Sequence, residues 1–304
     1  MSTQAVVAPD PARSQPPTTP AARPRTRSRT VGAERTSWTA TVLLALATLT
    51  VLVPLYVTVT MAVKTNQQAV DGNAFSLPWP LNWSNFAEAW TLTNFPRALA
   101  VSVFITVLAV AGNVLLSSLF AYALARNWDR RWVRLAFYYV LAALFVPFPV
   151  VALPQVQLTG NLGLDNPVGV VALHIAFGLS FNTLLFTAFL RSVPAELEES
   201  ARIDGATTMQ AFWRLVFPLL APMSATVAIF SFLGSWNDFM MPSLIIADPS
   251  LQTVPVVQNI FQTQFSSNYN ISFASYLMAM APAIIAYVFT QRWVIAGVTQ
   301  GAIK

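Results

Sequence analysis

Residues 194–222 read PAELEESARIDGATTMQAFWRLVFPLLAP and form the longest charged, helix-compatible segment of the chain. Three glutamates fall in the first turns of a predicted helix, near the positive end of its dipole: Glu196, Glu198 and Glu199. Pro194 suits the start of this helix, because a first-turn proline lacks only an N–H that has no acceptor there. Arg202 lies near the negative end, and Gly205 can adopt the left-handed conformation that ends a helix. The segment therefore predicts a helix that stops at Gly205.

A second short helix is predicted directly after this glycine. Thr207, with Gln210 three residues later, is a capping-box pattern. Pro218 and Pro222 then break or kink the chain, because proline lacks an N–H and clashes with the preceding turn. A hydrophobic stretch follows. We therefore expect two short helices joined by a tight corner, inside a loop at 191–218.

The composition around this loop is that of a membrane protein. Of 304 residues, 55% are hydrophobic and 10% are charged, whereas a soluble domain has about 25% charged residues. Apolar runs of about 18 residues or more recur, which indicates several membrane-spanning helices. The runs lack the alternation of a membrane β-barrel. With no cysteine in the chain, a disulfide, a thiolate metal site and a cysteine nucleophile are excluded.

Six spans are predicted, so the fold class is an all-α polytopic membrane protein with a cytoplasmic helical hairpin. The spans lie at about 38–63, 97–125, 135–153, 167–190, 223–246 and 273–295. Residues 1–36 are rich in arginine and proline and poor in large apolar residues, which predicts a disordered tail. Residues 37–304 form the transmembrane domain. Lys64, at the end of the first span, is expected to extend its ammonium group to the membrane surface.

The third span contains Pro147 and Pro149 and meets Pro154. Three prolines so close together disfavour a regular helix. Broken backbone at membrane depth is tolerated only against protein or a water-filled cavity. Two interpretations remain open: the break lines a pathway, or the helix simply ends at the outer interface.

The orientation follows from the positions of the lysines and arginines. With the N-terminus inside, fifteen of these residues fall in cytoplasmic segments, and only Lys64 and Arg97 fall outside. This positive-inside bias places both termini and the loop at 191–218 in the cytoplasm. The net charge of +5 therefore does not indicate a nucleic-acid partner, because the basic residues flank membrane spans.

The residue types exclude several kinds of chemistry. The two lysines, Lys64 and Lys304, do not follow glycine, so the chain has no G-x-x-x-x-G-K-[ST] phosphate loop. His174 is the one histidine, which excludes a histidine metal cluster or a Cys/His dyad. We favour a hydrogen bond between helices for His174, with a cavity-lining role as the alternative. The chain is not expected to be an enzyme.

The charged loop resembles the "EAA" cytoplasmic loop of ABC-importer permeases, above all the carbohydrate branch. The resemblance rests on the run Glu199-Ser-Ala-Arg-Ile-Asp-Gly-Ala206, on Phe212 and Arg214, and on Phe217-Pro218-Leu219. Ser200 replaces the usual first alanine, and Phe217 stands where leucine is commoner. The resemblance implies that the hairpin docks into a groove of an ATP-hydrolysing subunit. The alternative is an amphipathic hairpin without a partner. The implied ATPase-coupling residues are Glu199, Ser200, Ala201, Asp204, Gly205, Ala206, Arg214 and Pro218.

Two further segments extend the resemblance to most of the chain after residue 38. Residues 234–239, GSWNDF, are similar to a segment in the fifth span of sugar permeases. Trp236, Asn237 and Asp238 offer an aromatic face and polar groups, which implies a substrate pathway; a polar cluster that fixes the helix is the alternative. The last residues resemble the family's short C-terminal tail, with implied ATPase contacts at Gly297, Gly301 and Lys304.

The resemblance implies an inner-membrane permease that imports a sugar or oligosaccharide by alternating access, similar to the second permease of maltose-type importers. The implied partners are a homologous second permease, two ATP-binding cassette subunits and an extracytoplasmic solute-binding lipoprotein or periplasmic protein. ATP and magnesium would bind the ATPase, with no cofactor in this chain. Gly205→Val or Glu199→Lys is expected to uncouple transport from hydrolysis. The alternatives are a stand-alone secondary transporter or facilitator, and an importer for a solute other than sugar.

Overall fold

The computed structural model describes residues 38–264 and 268–302, with the backbone alone described at 290 and 292–302. The predicted tail at 1–36 and Lys304 lie outside the described residues. By its internal contacts the chain divides into two units, Met1–Thr50 and Val51–Lys304. The described part of the first unit, residues 38–50, is helical and exposed. The second unit holds the rest of that helix and every later element.

The described chain is helical and contains no strand. Its α-helices are α1 (Trp38–Ala62), α2 (Asn66–Val70), α3 (Ser84–Leu92), α4 (Phe95–Arg126), α5 (Arg131–Ala142), α6 (Phe148–Asn161), α7 (Pro167–Leu190), α8 (Glu196–Ile203), α9 (Thr208–Ala211), α10 (Phe217–Leu219), α11 (Ala221–Trp236), α12 (Met240–Ile245), α13 (Val254–Gln258), α14 (Ile260–Thr263) and α15 (Tyr269–Ala302). Short 3-10 turns lie at Ala143–Phe145 and Pro249–Leu251, and a π-helical turn lies at Phe212–Val216.

Four helices are long and apolar enough to cross a membrane alone: α1, α4, α7 and α15 up to Phe289. Two further candidates are bent pairs. Arg131–Phe145 meets Phe148–Asn161 at 101°, and Thr208–Leu219 meets Ala221–Trp236 at 75°. Counted as one span each, the pairs bring the total to the six predicted. The first bend lies where Val146, which precedes a proline, leaves the helical region.

Helices α4 and α7 pack side by side and run in the same direction. Toward their N-terminal ends Ile105 and Val170 share one buried cluster, and toward their C-terminal ends Tyr122 and Phe186 share another. Between these clusters the helices approach closely at Gly178. A Cβ added there would overlap the side chain of Asn113, so the absence of a side chain permits the approach.

Helix α11 packs against α4 in the opposite direction. Val227 belongs to the same buried cluster as Tyr122, whereas the Ser235 hydroxyl donates to Thr106 Oγ1 at 3.4 Å. The C-terminal ends of α4 and α7 and the beginning of α11 therefore lie at one end of the bundle. We call this the hairpin end, and the opposite end the far end.

At the far end, one buried asparagine joins three helices. Asn85, which is 1% exposed, donates to the carbonyl oxygens of Ala62 and Lys64 at 2.9 and 2.8 Å. Its own carbonyl accepts from Asn270 Nδ2 at 2.8 Å. The end of α1, the start of α3 and the start of α15 are thereby fixed together by buried hydrogen bonds.

Lys64 does not extend to the membrane surface, so that expectation was wrong. Its side chain is fully buried. Its Nζ donates to the Asn73 carbonyl at 2.7 Å and to Ser76 Oγ at 3.1 Å. The segment after α2 supplies these acceptors, and burial lowers the pKa of Lys64 from its ordinary value of 10.5.

One predicted boundary was also wrong. The third span was predicted to end at about residue 153, but α6 continues to Asn161. The last residues, which resemble the family's C-terminal tail, continue α15 as far as Ala302, beyond the apolar span that ends at Phe289. The backbone at Gly297 and Gly301 is part of that helix.

Candidate functional site

The corner of the hairpin has the predicted geometry. Helix α8 ends at Ile203, and Gly205 has a φ of +87°. The Gly205 N–H donates to the Arg202 carbonyl at 3.0 Å, and the Ala206 N–H donates to the Ala201 carbonyl at 2.9 Å. This pair of bonds is a Schellman motif. No atom lies within 4 Å of a Cβ added at Gly205, so the backbone conformation alone requires glycine.

The second helix begins with the predicted capping box. The Gln210 N–H donates to Thr207 Oγ1 at 3.3 Å, and the Thr207 N–H donates to Gln210 Oε1 at 2.9 Å. After Ala211 the chain forms the π-helical turn and then the short α10, which contains Pro218. Single π-turns are frequent at functional sites. The hairpin is thus continuous with the 75° bend that leads into α11.

The proposed coupling residues are mostly on the surface of the hairpin. Glu199, Ser200, Asp204, Gly205, Arg214 and Pro218 are exposed, and Ala201 and Ala206 are partly buried. Apolar side chains accompany them, with Ile203 87%, Met209 56% and Leu197 45% exposed. Exposed apolar residues so close together are typical of a surface that binds another protein.

The opposite face of α8 is fastened to α4 through a residue that the sequence analysis did not single out. Glu198 is 3% exposed. Its Oε2 accepts from the Tyr122 hydroxyl at 2.7 Å, and its Oε1 lies 2.7 Å from Arg126 Nε and 2.6 Å from the second guanidinium nitrogen. We call Glu198, Tyr122 and Arg126 the clamp.

Apolar packing surrounds the clamp. Phe212, at the start of the π-turn, is fully buried and lies 5.0 Å from the Tyr122 ring. Arg126 also approaches the Val193 carbonyl at 3.5 Å. A usable signal was present in the sequence: Tyr122 and Arg126 are four residues apart, so two donors lie on one face at the end of α4.

The second candidate region is the break between α11 and α12. Asp238 Oδ1 accepts from the N–H groups of Met240 and Met241 at 3.0 and 3.3 Å. This carboxylate therefore caps α12. Its Oδ2 lies 3.5 Å from His174 Nε2 on α7. His174 Nε2 is buried and makes no hydrogen bond in this structure, so the hydrogen bond between helices and the cavity-lining role both stay predictions.

The other two residues of this region differ in accessibility. Trp236 is 6% exposed and stacks on Phe232, with ring centroids 5.7 Å apart and planes 9° apart. Asn237 is exposed and donates to the Leu233 carbonyl at 2.9 Å. Trp236 therefore has one face occupied in this conformation, and Asn237 and Asp238 hold the accessible polar atoms. The pathway role of the three residues remains a prediction.

The broken third span is present as predicted. Helix α6 begins at Phe148, directly after Pro147, and Pro154 lies within it. Phe148 packs edge-on against Phe177 of α7 at 5.9 Å. The break is therefore covered by α7 at this position, and both interpretations of its role remain open.

Comparison with known proteins places these features in context. Residues 113–300 match the family described as binding-protein-dependent transport system inner membrane component. This match includes the hairpin, the clamp residues Tyr122 and Arg126, and the break at Asp238.

Relatives match over almost their whole length. The chain is 34% identical over 274 residues to the multiple sugar-binding transport system permease protein MsmG of Streptococcus mutans, covering 86% of this chain and 95% of the relative. It is 30% identical to the probable starch degradation products transport system permease protein AmyC of Thermoanaerobacterium thermosulfurigenes, covering 83% and 91%.

A solved structure has the same fold. A chain of a bacterial ABC transporter involved in the import of the acidic polysaccharide alginate superposes with a TM-score of 0.73. The sequences are 24% identical, and the match covers 84% of this chain and 94% of the other.

Proposed function

Since the chain belongs to the family of binding-protein-dependent transport system inner membrane components, we propose that it is the permease subunit of an ATP-driven importer for a sugar or oligosaccharide. The two relatives described above are named as permeases for multiple sugars and for starch degradation products. The observation that carries the proposal is the hairpin, which presents exposed apolar residues on one face and is fastened to a membrane helix on the other.

The hairpin would bind the ATPase. Ile203 projects from the last turn of α8 and is 87% exposed, so its burial by a partner would be favourable. Glu199 and Asp204, which are also exposed near the corner, offer charged groups for the rim of that contact. Gly205 then fixes the direction in which α9 leaves the corner.

The orientation we propose places the hairpin end in the cytoplasm. The arginines at or near this end are Arg126, Arg130, Arg131, Arg134, Arg191, Arg202 and Arg214. The far end holds Lys64, whose ammonium is buried, and Arg97, which is exposed. Such asymmetry is that of a protein whose hairpin end faces the cytoplasm.

The substrate would pass near Asn237 and Asp238. The exposed amide of Asn237 and the partly exposed carboxylate of Asp238 can replace the water that a sugar hydroxyl loses on entering the membrane. Because Asp238 also caps α12, its position depends on the break itself. Substrate passage and the movement of α12 would then be linked at one residue.

The partners we propose are a second permease, two ATPase subunits that hold ATP and magnesium, and an extracytoplasmic solute-binding protein. Both this set of partners and the choice of a sugar as substrate are proposed from the family and its relatives. Every proposed residue role concerns conformational transmission or passage of solute, and none concerns bond cleavage.

Reconstitution tests the proposal. The chain and the products of its neighbouring genes would be co-expressed, purified through a tag on this chain and incorporated into liposomes with the solute-binding protein. We expect ATPase subunits to co-purify and sugar uptake to require ATP. A matched control uses an ATPase subunit without hydrolytic activity. Uptake by this chain alone, without nucleotide, would refute the proposal.

A further inference from the structure

Glu198 is the only residue of α8 whose side chain is buried. Its carboxylate contacts two donors, and both belong to α4 rather than to a helix adjacent to α8 in the sequence. A buried carboxylate is stable when it is paired and hydrogen-bonded, and charge-assisted bonds of this kind are short and directional. Glu198 is therefore fixed to the end of α4.

The clamp has a mechanical consequence. The covalent chain joins α8 to α7 on one side and to α9 on the other. These connections touch α4 through the Val193 carbonyl, 3.5 Å from Arg126, and through Phe212, which packs on Tyr122, but the bonds of α8 itself to α4 are those of Glu198. With these bonds in place, a displacement of α8 must carry the end of α4 or break an ion pair whose side chains are 17% and 4% exposed.

Helix α4 extends from the clamp to the far end. There the Val254 N–H, at the start of α13, donates to Ser102 Oγ at 2.9 Å. Ser235 of α11 contacts Thr106 one turn further along. A shift of α4 therefore acts on α13 and on α11, which ends at Trp236, directly before the break at Asp238.

We propose that Glu198 is a positioning residue that makes α4 the element through which the hairpin drives the far end of the bundle. This inference rests on the proposed function, because it requires an ATPase that displaces the hairpin. It assigns a role to the buried face of α8, whereas the family resemblance concerns the exposed face.

The test compares variants of the reconstituted importer complex in liposomes, and measures sugar taken up per ATP hydrolysed. Glu198→Gln keeps the shape and removes the charge. We expect uptake per ATP to fall about tenfold, within the range of energetic coupling between distant sites. Tyr122→Phe removes one neutral donor and should lower the ratio about threefold. Arg126→Lys, which keeps the charge, should retain more coupling than Arg126→Gln.

Glu196→Gln is the matched control. Glu196 lies on the same helix with the same charge, but its side chain is exposed and is not part of the clamp. We expect wild-type uptake per ATP from this variant. The amount of ATPase that co-purifies with each variant is measured first, so that loss of assembly is not mistaken for loss of coupling.

Hydrogen exchange distinguishes a coupling role of Glu198 from a purely structural one, because it measures whether ATP affects α8 and α4 together. In the wild-type complex, ATP should change exchange in both α8 and the last turns of α4, whereas in assembled Glu198→Gln it should change exchange in α8 alone. If Glu198→Gln does not assemble, Tyr122→Phe and Arg126→Lys carry the test.

Wild-type uptake per ATP in the assembled clamp variants would overturn the inference and leave the proposed function intact. A wild-type complex that hydrolyses ATP without any uptake would instead overturn the proposed function, and this inference with it.

Discussion

At Gly205 the effect of backbone strain can be measured separately from the effect of steric overlap. The φ of this glycine, +87°, lies in the left-handed region, and a Cβ there would meet no atom within 4 Å. Substitution therefore costs backbone strain and no steric overlap. For an ordinary L-residue this strain is about 1–2 kcal/mol, more for a β-branched residue and less for asparagine.

Such a strain lowers the population of the corner conformation by a factor of about 5–30. If only that conformation binds the ATPase, the apparent dissociation constant rises by the same factor. We therefore expect the order Gly205, Gly205→Asn, Gly205→Ala, Gly205→Val, from tightest to weakest binding. Because mass action can compensate for a small population, Gly205→Ala should recover wild-type uptake when the ATPase is in excess.

The assay titrates ATPase subunits into liposomes that contain the permease variants, and records binding and ATP-dependent uptake. The matched control is Gly160→Ala. Gly160 also has open space where a Cβ would lie, but it belongs to α6 and has no positive φ, so alanine should leave binding unchanged. Equal losses of binding in Gly205→Asn and Gly205→Val would refute the reasoning, because the presence of a side chain, rather than the strain of a positive φ, would then determine binding to the ATPase.

Three other predictions follow from single contacts. Gly178→Ala would push a methyl group into the Asn113 side chain, so the free energy of unfolding should fall by about 1–3 kcal/mol; thermal unfolding in detergent measures this, and an unchanged midpoint would contradict it. Asp238→Asn keeps an acceptor for the two N–H groups that cap α12, whereas Asp238→Ala loses it at a cost of about 1 kcal/mol; uptake should be better retained by asparagine, and equal loss would show that the charge matters instead. Burial lowers the pKa of Lys64, so the unfolded state binds more protons than the folded state between that pKa and 10.5. The free energy of unfolding should therefore rise as pH increases through this range. Lys64→Met should abolish the rise, and a rise that persists in this variant would exclude Lys64 as its source.

The hairpin could be predicted because its signals are local. Gly205 ends a helix and Thr207 with Gln210 begins one, and all three act through backbone groups a few residues away. The number of spans was also accessible, because apolar length and proline position decide it. Both kinds of signal are independent of what packs against the segment.

The clamp could not be predicted in the same way. Glu198 and Arg126 are separated by 72 residues, and the neighbouring glutamates Glu196 and Glu199 carry the same charge. Only the packing of α8 against α4 decides which of them is buried. The resemblance to the family motif points to Glu199, which is exposed, whereas the buried attachment is made by Glu198.

The wrong end of the third span and the wrong placement of Lys64 have a similar origin. The span was predicted to stop at about residue 153, but α6 continues through polar residues, where the Thr159 hydroxyl donates to the Gln155 carbonyl at 2.9 Å and is satisfied within the helix. Lys64 was expected at the membrane surface because it follows an apolar span. Its actual acceptors, on Asn73 and Ser76, are brought to it by the fold of the following segment, which the sequence pattern does not reveal.

The asparagine contact at the far end limits how the conduit can open. Asn85 holds the last turn of α1 and the first turn of α15 to one side chain, so these two rods cannot separate at that point without exposing buried amides to solvent. If the far end opens, α1 and α15 should therefore stay together at Asn85, and the opening should form between helices that this asparagine does not join.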